Sequence, residues 1–571
     1  MEEKYKNVVL GCQNCKKDFT IEPDDFSFYE KMQVPAPTFC PDCRFQRRLM
    51  FRNERVLYKR TCDLCKKSMI TIFSPDKKAP VFCGACWWGD GWDPKDYGMV
   101  YDPTRPFLEQ LKELTEKVPC MNLVVDYSSL IRSDYINHAG ACKDTYLIFN
   151  ADYAENVLYS STVTHTRDSM DVIMISDSEL LYECIDCSGS RVFFSENCNA
   201  CVDVYFSKDC SGCVNCFACA GLRNKSYCIG NIQYTKEAYD AYIRDAHLDS
   251  YEHIQHHKET ANDVWRSVPR RAYYGTQNVG STGDYIFECK NAKQCYQATG
   301  VEDGAYCQII TLKSARDTYD LTEWGMNSER VVDSITVGEN CVDVKYCAGA
   351  WANCRGVEYC MYAVGSKDCF GCVNVRKQEY CILNTQYTKD EYEALRAEIV
   401  AAMTEHPYRD AAGRVFWYGE FLPYDLSFFD YNETHAAQFF PLTKEEALDR
   451  GYRWKEAAVS VHVASMTSDA LPDSMHTVSD SITEQIISCG SCERPYRIVV
   501  PELALLRRFG FPLPRQCPDC RHMERLSRMN PPKLWRRTCM NEGCSNEFET
   551  SYAPDRPEIV YGESCYQKEV L

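Results

Sequence analysis

The chain of 571 residues contains no apolar run long enough to cross a membrane. Its opening residues, MEEKYKNVVLGC, lack the charged, apolar and small-residue pattern of a secretory leader, so the sequence reads as cytoplasmic. Positive charge is scarce: 64 Lys and Arg stand against 82 Asp and Glu, a net of -18. That balance excludes a nucleic-acid-binding surface over the whole molecule, and any such role has to be local. Few Asn-Gly or Asp-Gly pairs occur, which argues against a succession of tight hairpins. No acid/base pair, nucleophile constellation or doubly wound α/β pattern stands out.

Cysteine is the opposite case, with 36 in the chain. A reducing compartment disfavours disulfides, leaving metal ligation and buried thiols as competing explanations. Cys12-x2-Cys15, Cys40-x2-Cys43, Cys62-x2-Cys65 and Cys83-x2-Cys86 follow one another near the start. Cys489, Cys492, Cys517, Cys520 and Cys539 each lie 477 residues after Cys12, Cys15, Cys40, Cys43 and Cys62, and CPDCR recurs at 40–44 and 517–521. This is an internal duplication. Two CxxC turns at such a separation present four thiolates tetrahedrally, as a zinc ribbon does. Each unit is too small to hold together by apolar burial, whereas zinc supplies on the order of 10 kcal/mol or more in finger-type peptides. Four thiolates leave no open position, so these are structural rather than catalytic sites. The last unit departs: Cys539-x4-Cys544 carries two extra residues, Cys86 maps onto Cys565, and Cys83 maps onto Gly562. Three complete zinc sites and one incomplete site are expected.

Between the ribbons of each pair runs a basic linker. Residues 44–60 carry a net +6 and residues 521–537 a net +5, leaving -29 elsewhere in a chain of -18. Arg44, Arg47, Arg48 and Arg52, with Arg521, Arg525, Arg528, Arg536 and Arg537, lie among aromatics, a mixture suited to phosphate contact and base stacking. The rival reading is a solvated helical face packed on the ribbons.

From 133 to 387 the texture is different. Short Tyr-, Val-, Ile- and Phe-rich segments recur every 11 to 12 residues, which predicts a parallel β-solenoid with two such segments per flattened coil. Residues 216–241 align without a gap to 369–394 at an offset of 153, so it has two halves, 133–234 and 271–387. Each ends in a helix signal, with Thr235 or Thr388 as N-cap and Glu391 completing a capping box, which predicts capping helices in 235–270 and 388–405. His247, His253, His256 and His257 fall in the first and read as a solvated face before they read as a metal site. Residues 101–132 are expected as a helical linker, 406–485 as an aromatic-rich segment packed on the solenoid end, and 1–100 and 486–571 as the ribbon pairs.

Within the first half, Cys210, Cys213, Cys216 and Cys219 imitate a [4Fe-4S] run but lack its proline and final spacing. Cys216, Cys219 and Cys228 recur as Cys369, Cys372 and Cys381, so stacked buried thiols come first, a further zinc site second and an iron–sulfur cluster last.

The ribbons, the repeated YC-I-x-N-x-QYTK text at 227–236 and 380–389 and the terminal RPEIVYGESCY together resemble cysteine-rich zinc-ribbon proteins of candidate-phyla (Patescibacteria-type) bacteria. That family usually has Cys where this chain has Gly562. The resemblance implies zinc and brings no established activity to carry over; a CoA-transferase label sometimes given to such sequences finds no support in the residues. The expectation is a mainly β, non-enzymatic zinc-binding scaffold contacting nucleic acid, a ribonucleoprotein or a protein partner through its basic linkers, with no membrane and no small-molecule cofactor. The alternatives are a solenoid enzyme acting on a polysaccharide or other polymer, and an iron–sulfur redox protein.

Overall fold

The structure is a computed structural model that describes residues 6–456 and 463–569; the expected ribbon and linker segments at 1–5, 457–462 and 570–571 lie outside the described residues. It is mainly β, with cysteine clusters near both termini. No helix among the described residues is long and apolar enough to cross a membrane.

The middle of the chain forms two stacks of parallel strands. In the first, Ile136 pairs with Ile148, Val192 with Val204, Val204 with Cys216, and Cys216 with Cys228, each 12 residues on, with one step of 11 where Leu181 pairs with Val192. The second stack repeats the step at Cys369 and Cys381, and lengthens it to 13 where Thr318 pairs with Val331. One 12-residue period is therefore a full coil, which corrects the expectation of two periods per coil. The reason lies in the backbone. From His138 to Asp186 every third residue has φ between 47° and 60°, although none is glycine. Each such residue turns the chain, so four three-residue sides close a coil. Asp and Asn, which tolerate this left-handed conformation best, hold many of these corners, among them Asp144, Asn150, Asn156, Asp168 and Asp171. Corner amides are satisfied by the preceding coil: the Asn156 and Tyr159 N–H groups donate to the Lys143 and Tyr146 carbonyls.

The same period sets the core. Ala154, Val157, Ser160, Val163, Thr166, Ser169, Val172 and Ile175, one residue in three, are all buried. Inward serines fit because their hydroxyls find partners. Ser160 Oγ donates to Leu158 O and accepts from the Val172 amide, and Ser169 Oγ does the same with Arg167 O and Leu181 N.

After the first stack come two helices, Lys236–Asp245 and Tyr251–Ser267, where one was expected. Thr235 and Ser250 cap them, accepting from Ala238 N and His253 N. After the second stack a single helix, Lys389–Glu405, begins with the expected Thr388–Glu391 capping box. Residues 101–132 contain one helix, Phe107–Thr115. The aromatic segment packs chiefly on the N-terminal ribbons: Phe416 on Phe39, Phe421 on Phe51 and Phe429 on Phe73. It also reaches the second stack where Tyr418 meets Tyr346.

The two ribbon pairs are crossed relative to the stacks. The N-terminal linker helix, Pro41–Leu49, lies on the second stack, while its C-terminal counterpart, Pro518–Arg528, lies on the first. Arg270–Arg271, just before the second stack begins at Gly275–Thr276, pairs with Val560–Tyr561 in a separate two-stranded sheet.

Candidate metal centres and the buried basic linkers

Each complete cluster is built in the same way. A two-stranded hairpin carries the first CxxC turn, and the second lies where a helix begins, with Cys40, Cys83 and Cys517 as N-caps. This brings together Cys12, Cys15, Cys40 and Cys43; Cys62, Cys65, Cys83 and Cys86; and Cys489, Cys492, Cys517 and Cys520, each set with its sulfurs within 4.8 Å of one another. Sulfur–sulfur edges are 3.7 Å for Cys15–Cys40, 3.8 Å for Cys65–Cys83 and 3.7 Å for Cys492–Cys517. The first cysteine of each set accepts a backbone N–H: Cys12 from Cys40 at 3.3 Å, Cys62 from Cys83 at 3.3 Å and Cys489 from Cys517 at 3.2 Å. Burial raises the Cys489 thiol, but the N–H groups of Cys517, Cys492 and Ser491 outweigh it and bring it down to about 6. The balance is the same at Cys62, brought down to about 7. These sulfurs are prepared as thiolates, the form that binds metal.

The fourth cluster holds three sulfurs, Cys539, Cys544 and Cys565. Gly562 N donates to Cys539 Sγ at 3.3 Å, the bond that Cys83 N makes to Cys62 Sγ. The backbone of the lost ligand is thus in place, and only its thiol is absent.

Cys210, Cys213, Cys216 and Cys219 do not converge. They occupy inward positions on the sides of one coil, all buried, and form no such sulfur cluster. Their thiols lie against carbonyls: Cys213 Sγ is 3.6 Å from Ser211 O and 3.5 Å from Leu222 O, and Cys219 Sγ is 3.3 Å from Phe217 O. This geometry fits the stacked buried thiols read first from the sequence, and the second reading there, a further zinc site, finds no four-sulfur cluster: three-residue spacing is the period of the coil. The four histidines form no metal cluster: the ring of His247, between the two helices, lies 5.0 Å from that of His253, and His256 lies 6.0 Å from His257. His257 is buried with Nε2 at 2.8 Å from Ala246 O, while His253 and His256 are exposed.

The arginines expected to meet nucleic acid are, with few exceptions, inside the protein. Arg44, Arg47, Arg48 and Arg52 are each no more than 3% exposed. Arg44 Nε donates to Asp320 at 2.9 Å, Arg47 to Asp333 at 2.8 Å and Glu420 at 3.0 Å, and Arg48 to Asp320 at 3.0 Å and Asp333 at 2.7 Å. Arg521 and Arg525 are likewise buried against Asp171 and Glu502. Arg528 is half-buried beside Glu196, Arg537 is half-buried, and Arg536 alone is exposed. The expectation of an exposed phosphate-binding face made by these residues is corrected: most of the guanidinium groups turn inward onto buried carboxylates instead of lying on the surface.

One cluster escaped the sequence reading. His435 lies between two buried carboxylates, with Nε2 at 3.3 Å from Glu54 and Nδ1 at 3.1 Å from Glu323, and Arg52 reaches both glutamates at 3.2 and 3.3 Å. The three side chains could hold a metal. The two ring nitrogens face different carboxylates, so the imidazole spans Glu54 and Glu323. The residues are hundreds of positions apart and follow no spacing rule, so no sequence signal announced them.

A cleft of about 480 Å³ opens between the stacks, lined by Asp186, Asn197 and Asp209 from the first and by Tyr274, Tyr285 and Glu288 from the second. Burial, helped by Asp284 and Asp209, pushes the Asp186 carboxyl up to about 7.

No protein-family model matches the chain, and no curated protein does. Among solved structures, a candidate acetyltransferase from Desulfovibrio desulfuricans G20 aligns over 52% of this chain and 76% of its own, at 11% identity and a TM-score of 0.11. An overlap so loose carries no inference about fold or activity.

Proposed function

We propose that the protein is a zinc-binding scaffold in which the metal centres lock two ribbon pairs across the ends of a duplicated parallel β-solenoid. The observation that carries this reading is the sulfur geometry. A tetrahedral zinc with Zn–S bonds of about 2.3 Å has sulfur–sulfur edges of about 3.8 Å, and the edges here are 3.7 and 3.8 Å. Cys12, Cys40, Cys62, Cys489 and Cys517, among others, would hold it as thiolates, with no position left for substrate. The role is structural because each linker helix begins at a ligand, Cys40 or Cys517, and then drives arginines into the stack. Thirty-six reduced cysteines suit a cytoplasmic setting. The test is metal analysis of the purified chain with stability followed during chelation. Three zinc ions per chain, no iron and cooperative loss of folded structure on chelation are expected; iron in place of zinc refutes the proposal.

The inter-stack cleft favours a second reading, an enzyme acting on a polysaccharide or other polymer. Asp186 and Asp209 line it together, and one of them titrates near neutrality. A survey of polymer hydrolysis comparing the wild type with Asp186→Asn tests it, and the absence of any turnover that the substitution removes rejects it.

A further inference from the structure

The duplicated linkers each leave some buried guanidinium nitrogens without acceptors, Arg47 Nε and Arg52 Nε in the N-terminal one, but they differ at two corresponding arginines. In the N-terminal copy the Nε atoms of Arg44 and Arg48 both donate, to Asp320 and to Thr322, each at 2.9 Å. Their counterparts 477 residues on are Arg521 and Arg525. These are 4% and 2% exposed, yet Arg521 Nε, Arg521 Nη2 and Arg525 Nε have no hydrogen-bond acceptor. Buried guanidinium N–H groups without acceptors are rare and point to a missing partner.

Both arginines line a pocket of about 80 Å³, together with Arg528, Arg515 and Lys258. Five cations therefore meet two lining carboxylates, Glu183 and the exposed Glu524. Glu183 is taken by Lys258 at 2.6 Å. Asp171 and Glu502 bind Arg521 and Arg525, and Glu196 sits against Arg528, but none of the three lines the pocket. Arg515 has only carbonyl acceptors, Ser468 O at 2.8 Å and Pro472 O at 3.1 Å, and its guanidinium lies 4.8 Å over the Tyr251 ring. The counterpart of Arg47 in this copy is Glu524, and the second buried carboxylate, Glu502, takes Arg521 Nη1 at 3.0 Å where Glu420 takes Arg47.

We propose that this pocket, formed by Arg515, Arg521, Arg525, Arg528 and Lys258, binds one phosphate-class oxyanion. Its volume suits a single tetrahedral anion, and donors converging from several side chains suit three or four oxygens better than the two of a carboxylate. The site is independent of the zinc reading: it lies beside the third cluster, and metal content is measured separately.

The test is calorimetric titration of the full-length, metal-loaded chain with inorganic phosphate at low ionic strength. Variants are Arg515→Gln with Lys258→Gln, both at the half-buried pocket edge, and Lys236→Gln on a separate helix as control. One phosphate per chain is expected, with affinity at least about tenfold weaker in the double variant and unchanged in the control. Circular dichroism verifies folding, and Arg528→Gln supplies a second reading should the double variant unfold. No phosphate binding by the wild type, or equal binding by the pocket variants, overturns the proposal. A 5′-phosphorylated trinucleotide then identifies the source. Displacement of phosphate by it, but not by its 5′-hydroxyl form, assigns the site to a nucleic-acid terminus; phosphate binding without displacement assigns it to the free anion.

Discussion

Arg48 Nη1 and Asp333 Oδ1 lie 2.7 Å apart in the interior, joining the first ribbon pair to the second stack across 285 residues of sequence. Arg48 is wholly buried and also binds Asp320, Thr322 and Gln308. Removing it leaves Asp320 and Asp333 with Arg44 and Arg47 as their remaining guanidinium partners, and breaking a buried pair costs up to about 3–5 kcal/mol. Arg48→Met is therefore expected to lower unfolding free energy by that amount in urea titration. Arg60→Met, which loses a pair with the exposed Asp63, should lose less than about 1 kcal/mol. Equal stability of Arg48→Met and the wild type would show that the pair does not hold the ribbons in place.

That pair also marks the limit of what could be read from the sequence. The CxxC clusters were legible because their ligands lie in short, repeated stretches whose spacing follows from one thiolate turn. The stacked middle was legible through its repeated text, but its true period was not. The inward series Ala154, Val157, Ser160, Val163 mixes polar and apolar residues, and a three-residue rhythm resembles neither helix nor strand. Cys210, Cys213, Cys216 and Cys219 belong to that rhythm and could have revealed it. The arginine-rich linkers were misjudged because their partners, Asp320, Asp333, Glu420 and Asp171, are distant in sequence. Composition alone cannot distinguish a basic helix facing solvent from one inserted among acids.

The inward cysteines give a direct test of the coil. Cys210→Ala and Cys213→Ala are expected to leave metal content unchanged, since neither thiol joins a sulfur cluster. Each should destabilise the protein by about 1–2 kcal/mol through lost packing of a buried side chain. Cys12→Ser, by contrast, should remove one metal ion per chain. Loss of metal in Cys213→Ala would place a centre inside the stack after all.

Asp186 predicts a pH dependence. Its folded-state value of about 7 lies above the ordinary 3.8, so the folded protein holds this proton more tightly than the unfolded chain does. The associated stability is complete below pH 3.8 and is lost as pH rises towards 7. Asp186 is half-buried at the cleft wall, so the loss is about 2 kcal/mol, below the fully desolvated limit. Asp186→Asn should remove this part of the slope and be the more stable protein at pH 8, as measured by denaturant unfolding at pH 5 and pH 8. Asp152 and Asp284, each pushed up to about 6 by burial, act in the same sense and should leave a residual slope in the variant. Identical pH profiles for the variant and the wild type would refute the assignment.

The fourth cluster invites repair. Gly562 already donates its N–H to Cys539 Sγ, as Cys83 does to Cys62. Its backbone lies outside the left-handed region that glycine favours. A Cβ there would meet Asn546 Nδ2 at 3.0 Å and Phe548 Cδ1 at 3.2 Å, so these side chains must yield by a few tenths of an ångström. Both lie on or beside a two-stranded hairpin, and the end of the Asn546 side chain can rotate away. Gly562→Cys should then complete a four-thiolate site and raise tightly held zinc from three to four ions per chain, counted by release to a competing chelator. The C-terminal hairpin, Trp535–Thr538 with Glu547–Thr550, should become more resistant to proteolysis in the same variant. If the zinc count stays at three, Cys539, Cys544 and Cys565 do not form three corners of a tetrahedron, and the last ribbon folds without metal.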